Sequence, residues 1–550
     1  MINDVVIVGG GIAGLMAAIE AKTHLNKVVV VTKGNLFRSN SSLASGGINA
    51  VLDPNDSAGI QSHIKDTIKG CFGLENKNAI TYMCNRAPHI IEKLVSYGVE
   101  FDKNENGEIA QRSFGGGSSK RTCYVGDKTG AAIMQVLIKK AKSAGVKFMV
   151  NTFIMNVTTL ENRISGVVAL RRSDSSIIVY PAKSVILAGG GYAGLYRGYS
   201  TNAQDYSGDM IAIALRAGLN VKDMEFVQFH PTGMAKSTYL VSEAARGEGG
   251  YLVNDQNERF VNELETRNVV SFAISKQIEA GRKVYIDLRH LSLEQIETKL
   301  PSLYKAAYMQ AGIDISKELL EIKPVAHYSM GGIEAKMTKT AIEGLYACGE
   351  CAVQGVHGAN RLGGNSLLDG AVFGELAGQN AHKFAQNREF LPIDYNMVLK
   401  DQRLVDWTFD MESTKNFNSM RISMGKTLFN LVGIHRSKES LERAYDYINY
   451  LRKETVSLHC MDKGRHNNVE LVSILELKNA LEVAEAIILS ASKREESRGS
   501  HNRDDFEKDD LSLKKSILIN EQKKGYFKVW YEDNLFHSII KRIFTNKQRI

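Results

Sequence analysis

Asp4-Val5-Val6-Ile7-Val8-Gly9-Gly10-Gly11-Ile12-Ala13-Gly14 runs from an apolar strand into a glycine turn. A helical pattern follows from Leu15 to about His24, and a second apolar run covers Val28-Val29-Val30-Val31. Strand, turn, helix and strand make a βαβ unit. Gly9, Gly11 and Gly14 stand where a dinucleotide pyrophosphate would meet the helix N-terminus, whose free N–H groups and dipole favour an anion. The G-x-G-x-x-G spacing gains its meaning from lying between a strand and a helix. The second strand ends in Thr32-Lys33, where an NAD-binding unit would carry a carboxylate for the ribose hydroxyls. That weakens an NAD reading and leaves FAD open, provided other groups hold the ribose.

Two more strands end in glycine. Ser184-Val185-Ile186-Leu187-Ala188-Gly189-Gly190-Gly191 is one, and Gly344-Leu345-Tyr346-Ala347-Cys348-Gly349-Glu350, which delivers Glu350 to a turn, is the other. Three such elements within the first 350 positions point to one nucleotide-binding domain interrupted by an insertion. The expected division is 1–235 with 327–394 for that domain and 236–326 for the insertion. A helical domain over 395–500 and a C-terminal segment over 501–550 complete it. The insertion holds an alternating strand, Val284-Tyr285-Ile286-Asp287-Leu288, and helical stretches around 268–280 and 293–312. Beyond 395 the pattern is helical, for example Leu441 to Leu451 and Ile474 to Ala491, with Gly and Pro scarce. The charged tail after 500 is expected to wrap the surface. The predicted class is α/β, a Rossmann-like FAD-binding domain with an inserted α+β capping domain and a following helical domain.

At 550 residues the chain exceeds one hydrophobic core, and 43% hydrophobic with 24% charged residues is ordinary for a globular protein. No apolar run reaches the ~18–20 residues that span a bilayer. The strand pattern begins by Val5, which leaves no room for a signal peptide and predicts a cytoplasmic protein. The net charge of +8 is scattered, without an interleaved aromatic–basic stripe, so no nucleic-acid partner is expected. Cys348-Gly349-Glu350-Cys351 has C-x-x-C spacing, but no second pair at metal-ligand spacing accompanies it. No metal site is expected, and the pair reads as two cysteines in a tight strand-to-loop segment.

Two stretches carry the chemistry: His327-Tyr328-Ser329-Met330-Gly331-Gly332-Ile333 and His357-Gly358-Ala359-Asn360-Arg361-Leu362-Gly363-Gly364-Asn365-Ser366-Leu367. Arg361 can grip a carboxylate with parallel N–H donors, and the glycines let main chain approach a flat ligand. An anionic substrate held against a planar cofactor is the simplest function that needs both. With Ala44-Ser45-Gly46-Gly47, Phe226-Val227-Gln228-Phe229-His230-Pro231-Thr232, Glu243 to Gly250 and Glu496-Ser497-Arg498-Gly499-Ser500-His501-Asn502-Arg503-Asp504-Asp505-Phe506, the chain resembles the flavoprotein subunit of succinate dehydrogenase and fumarate reductase. The likeness runs from residue 4 to about 510.

The resemblance implies FAD and a C4 dicarboxylate, succinate or fumarate. It assigns substrate anchoring to His230, Ser242, His327 and Arg361, beside Phe114. Arg267 takes the place of the proton-transferring arginine, with Glu243 and Arg246 as its relay. FAD contacts are implied for Gly9, Gly11, Gly14, Thr32, Lys33, Ser39, Ala44, Gly46, Gly47, Asp209, Glu350, Asn365, Ser366 and Leu367. A cofactor role falls also to His357. Many members attach FAD through a histidine at the position of Asn40. An amide cannot be that nucleophile, so noncovalent FAD is expected.

Asn40 also fits the sister family of L-aspartate oxidase, the main alternative. There a glutamate precedes a Gly-Gly pair and receives the substrate ammonium; here Phe114 precedes Gly115-Gly116 and offers no charge. A noncatalytic FAD-containing electron-transfer subunit is the other alternative. The chain has no iron–sulfur cysteine pattern. The resemblance therefore implies an iron–sulfur partner subunit, with a membrane quinone module beyond it on the inner face of the cytoplasmic membrane; a soluble reductant is the alternative. The segment Leu535 to Phe544, apolar at helical spacing and flanked by basic residues, reads first as a short helix packed on its own protein and second as a membrane or partner contact.

Overall fold

The computed structural model describes residues 2–22, 27–203, 207–410, 412, 415–523 and 525–532. The stretch 535–544 lies outside the described residues. The expected βαβ unit is present as β1 (Asn3–Val8), α1 (Ile12–Lys22) and β2 (Val28–Val31). Val5 to Val8 and Val28 to Val31 are buried on both faces, worth roughly 1.5–3 kcal/mol per side chain. β1 pairs in parallel with β2 on one side and with Ser176–Leu187 on the other, and that strand pairs in parallel with Leu345–Ala347. The register matches Val8 with Val31 and with Leu187, and Leu187 with Ala347. Four strands therefore stop on one line, and Gly9, Thr32, Ala188 and Cys348 begin four loops along the same edge. That carboxyl edge is where open α/β sheets bind ligands.

The helix Asn365–Gln386 packs lengthwise on α1. Glycines at 370, 374 and 378 form the contact; a Cβ at Gly374 would lie 2.4 Å from the Ala13 carbonyl oxygen and one at Gly378 2.5 Å from that of Ala17. The two backbones meet there, and the N-terminus of the longer helix is set beside that of α1.

A second sheet orders Val227–Met234, Leu320–Ser329, Val284–Asp287 and Tyr251–Asn254, all antiparallel. Leu320–Ser329 runs past position 326, while Val227–Met234 ends just short of 236. Over 293–312 the structure has two helices rather than one stretch, Leu293–Lys299 and Pro301–Ala311. Pro301 lacks an N–H and opens the second helix at its first turn, which ends the helix before it. Four helices, Tyr395–Asp410, Phe417–Leu431, Lys438–Glu454 and Val469–Lys493, follow among the described residues.

The tail departs from expectation. Ile517–Lys523 and Tyr526–Tyr531 form a hairpin that joins Val221–Lys222, and Ile517 and Ile519 are fully buried. A charged composition predicts exposure residue by residue; it does not foresee a strand partner some 300 positions away. Cys348 and Cys351 are buried, with the Cys351 thiol donating to the Leu187 carbonyl at 3.3 Å and pushed up to about 12, first by burial. Among the described residues no helix is long and apolar enough to cross a membrane.

Candidate active site

A cleft of about 850 Å³ follows the carboxyl edge of the parallel sheet. Gly9 has φ +112°, and a Cβ there would sit 2.2 Å from the Ala188 carbonyl oxygen. A Cβ on Gly14 would strike the Gly9 carbonyl at 2.0 Å, so Gly14 supports the turn from behind, while Gly9 and Gly11 line the cleft. Ser41 accepts the Ile12 N–H at 3.1 Å and brings the loop holding Ser39, Ala44, Gly46 and Gly47 over the start of α1. A long cleft with bare backbone at a helix N-terminus fits a dinucleotide.

Thr32 and Lys33 line one end. Lys33 Nζ donates to Asp209 at 2.6 Å and to Glu476 at 2.8 Å. Burial opposes its charge, but the two carboxylates prevail and hold the ammonium above its ordinary range. Asp209 places a carboxylate at this edge, where the end of β2 has none. Glu350 lines the middle; its Oε1 accepts the Ser329 N–H at 3.0 Å, and burial pushes it up to about 7 against that bond. Ser366 and Leu367 line the cleft at the head of their helix, but Asn365 is not among the lining residues. Its amide bonds Asn49, His63 and Thr67 instead, so it fixes the helix start from the far side. His357 is likewise turned away, 3.2 Å from the Tyr328 hydroxyl and 3.5 Å from Asp369.

At the other end His230, Ser242, His327 and Arg361, the residues expected to anchor substrate, converge. The rings of His230 and His327 are 5.3 Å apart. Thr232 donates its N–H to His230 Nδ1 at 3.2 Å, which places the proton of the neutral ring on Nε2. His327 Nδ1 meets the Thr201 hydroxyl at 2.7 Å. Burial, then the charge of Arg267, holds both imidazoles well below their usual range. Ser242 caps the short helix Glu243–Gly247 by accepting the Ala244 N–H at 3.3 Å, which leaves its own proton to give. Phe114 lines the cleft against Gly46.

Arg361 is buried with its guanidinium 4.3 Å from the centre of the Tyr328 ring. Burial, then Arg267, pushes it down to about 9, and Nε has no protein partner. It is a cation short of an anion. Arg267 donates through Nε (3.0 Å) and Nη2 (2.8 Å) to Glu243. Burial works to raise the Glu243 carboxyl; the charges of Arg267 and Arg246 overcome it and keep it below the usual range. Arg246 lies one layer back, outside the cleft lining, with Nη2 4.0 Å from Glu243 Oε1 and Nη1 bonded to the Glu263 carbonyl. One buried residue that sequence reading passed over joins the two arginines: Gln228 Oε1 accepts Arg267 Nη1 at 3.1 Å and Arg361 Nη2 at 2.9 Å. Its only signal was its place two residues before His230.

The chain and its fold have counterparts in known proteins. Residues 4–367 match the family model described as FAD binding domain, and residues 421–549 the one described as Fumarate reductase flavoprotein C-term. The chain belongs to the succinate dehydrogenase/fumarate reductase flavoprotein family. It is 37% identical to the succinate dehydrogenase flavoprotein subunit of Rickettsia conorii, over 95% of this chain and 93% of the relative. It is also 37% identical to a fumarate reductase (CoM/CoB) subunit of Methanothermobacter marburgensis, over 95% and 98%. A solved E. coli quinol fumarate reductase, in an FrdA variant, superposes with a TM-score of 0.92 at 32% identity over 97% of each chain. This family member is an FAD-dependent oxidoreductase, and the α/β fold with a helical C-terminal part is the expected one.

Proposed function

We propose that this flavoprotein interconverts succinate and fumarate. The observation that carries the reading is the Arg267–Glu243 pair facing the same cleft as Arg361 and two neutral imidazoles. Bound FAD would supply the hydride acceptor or donor at N5. The residues of the chain do the rest. Arg361 pairs with one carboxylate of the diacid. Neutral His230 and His327 and the Ser242 hydroxyl give hydrogen bonds without adding charge. Phe114 closes the cleft with an apolar ring and offers nothing to an ammonium, which favours a diacid over aspartate.

Free arginine is a poor base. Arg267 is suited to move a proton only in concert with Glu243, whose Oε2 lies 2.8 Å from Nη2 and whose other oxygen faces Arg246. The proton then passes among Arg267, Glu243 and Arg246 while the net charge of the cluster stays nearly constant.

The same reading makes FAD noncovalent, because Asn40 stands at the cleft as an amide. It divides the chain at 235/236, 326/327, 394/395 and 500/501, as expected from sequence. It sends electrons to or from an iron–sulfur subunit, which links the flavin to a membrane quinone module at the inner face of the cytoplasmic membrane. Relatives named as subunits support the partner. Dye-coupled turnover of succinate, fumarate and aspartate by the purified protein tests the proposal. Turnover of succinate or fumarate is expected; activity on aspartate alone, or on none of the three, would reject it in favour of an amino-acid oxidase or a noncatalytic electron carrier.

A further inference from the structure

Behind the two arginines runs a row of side-chain amides that no other part of the site explains. Gln228 Nε2 donates to Asn360 Oδ1 at 2.8 Å; Asn360 Nδ2 donates to Asn268 Oδ1 at 2.9 Å; Asn268 Nδ2 donates to the Gly499 carbonyl at 3.2 Å. The three amides come from the strand Val227–Met234, the loop before Asn365–Gln386, and the first turn of the helix Arg267–Glu279. Gly499 belongs to the segment after the last long helix. It is held against Ala359: its φ is +59°, a Cβ would lie 2.5 Å from the Ala359 carbonyl oxygen, and Ser500 N–H donates to that oxygen at 3.0 Å.

The direction of this chain is forced from both ends. A guanidinium only donates, so Gln228 must turn its oxygen to Arg267 and Arg361. A backbone carbonyl only accepts, so Asn268 must turn its nitrogen to Gly499. Each amide in between then has one allowed orientation. All three dipoles point their negative ends toward the two cations, and hydrogen bonds aligned in this way reinforce one another. Two buried like charges are thereby held together by groups that carry no charge. Among the described residues Glu243 is the one carboxylate in ion-pair contact with Arg267, and Arg361 has none.

We infer that the Gln228–Asn360–Asn268 chain fixes the spacing of Arg267 and Arg361 while leaving their joint charge for the dianion, which makes Asn268 and Asn360 positioning residues of the site. Neither lines the cleft, so both act through the arginines. The inference rests on the succinate/fumarate reading. A carboxylate in place of either amide would leave acceptor facing acceptor and would compete with the diacid for the same two cations.

Asn268→Asp, Asn360→Asp, Asn268→Ala and Asn360→Ala are compared with the FAD-loaded wild type. Steady-state turnover, thermal midpoint and the Kd of malonate, an unreactive shorter diacid read by its effect on flavin absorbance, are followed from pH 7 to pH 10. The Asp variants should raise KM and the malonate Kd by roughly ten- to thirtyfold, with kcat much less affected. They should also move the alkaline loss of malonate binding to higher pH. The charged and titrating groups facing these guanidiniums, Glu243, Arg246, His230, His327, Tyr328 and Glu350, are unchanged in the variants. The Ala variants should raise KM without moving that limb. Should an Asp variant not fold, its Ala counterpart decides through KM and malonate Kd. Variants that lose thermal stability yet keep wild-type KM, malonate Kd and alkaline limb overturn the inference. A wild type that binds malonate but turns over neither succinate nor fumarate overturns the functional reading alone, and one that binds no malonate overturns both.

Discussion

A single oxygen of Glu243, Oε2, accepts both the Nε and the Nη2 hydrogens of Arg267, while Oε1 accepts the Gly115 N–H at 2.7 Å. The carboxylate is thus pinned on one side by main chain and committed on the other to one guanidinium. Replacing it by an amide keeps the shape and removes the capacity to take a proton. Glu243→Gln is expected to lower kcat by about 10²–10⁴, the usual range for a lost proton-transfer group. Malonate affinity should change by only a few-fold, since Glu243 is not an anchor. Steady-state fumarate reduction with a reduced dye measures this, and a variant retaining a tenth of wild-type kcat would remove Glu243 from the proton path.

Arg361 gives a pH dependence. Its guanidinium is pushed down to about 9, first by burial and then by Arg267. Bound diacid favours the charged form, so binding takes up a proton once the free site begins to lose one. The sign follows: affinity for malonate weakens above pH 9, by up to about tenfold per pH unit, while Glu350, pushed up to about 7 by burial, loses its negative charge as pH falls through that range and should tighten binding modestly there. Neutral His230 and His327, held far below the ordinary imidazole range, should add no acid-side dependence near pH 6. Titrating malonate against flavin absorbance from pH 6 to pH 10.5 checks both limbs. A Kd that stays flat to pH 10.5 would contradict this account of the charges.

Much of this site was legible because it rests on local signals. Glycines after an apolar run marked the edge of the sheet, and histidines or arginines beside glycines marked where side chains enter the cleft. Gln228, Asn360 and Asn268 carried no such mark. They are ordinary amides that meet only because the fold brings together positions 92 to 231 apart. Asn365 shows the converse. Its neighbours Ser366 and Leu367 face the cleft, and one helical step turns its amide to Asn49, His63 and Thr67. The hairpin Ile517–Lys523 with Tyr526–Tyr531 was hidden for a third reason. A strand that completes a sheet is specified by its partner, here Val221–Lys222, as much as by its own pattern.

Asn40 lines the cleft with its side chain engaged: Nδ2 donates to Asn202 Oδ1 at 2.9 Å and Oδ1 accepts the Ala203 N–H at 3.1 Å. Asn202 in turn donates to the His327 carbonyl at 2.8 Å. The residue thus ties the loop over the start of α1 to the segment that carries His327. Acid precipitation of the purified protein is expected to release all of its flavin to the supernatant. Asn40→His should loosen this tie and raise KM for the diacid. Flavin that stays with the wild-type precipitate would end the noncovalent proposal.

Phe114 separates the diacid reading from the amino-acid one. Its ring reaches to within 2.8 Å of where a Cβ of Gly46 would stand and 3.0 Å of the corresponding point on Gly363, so it is wedged between two glycine backbones at the cleft wall. The next residue, Gly115, is bonded to Glu243. A glutamate at 114 would bring a second carboxylate beside the arginines. At about 4 Å, one unit charge contributes on the order of 1–4 kcal/mol between watery and half-buried limits. Phe114→Glu should therefore raise KM for succinate by more than about tenfold, and it should permit anaerobic bleaching of the flavin by aspartate, whose ammonium gains a partner. Phe114→Leu, which keeps the wall apolar, should retain diacid preference. Succinate kinetics in Phe114→Glu indistinguishable from wild type would mean that this wall does not face the substrate, and aspartate oxidation by the wild type itself would mean that the ammonium finds its counter-charge elsewhere.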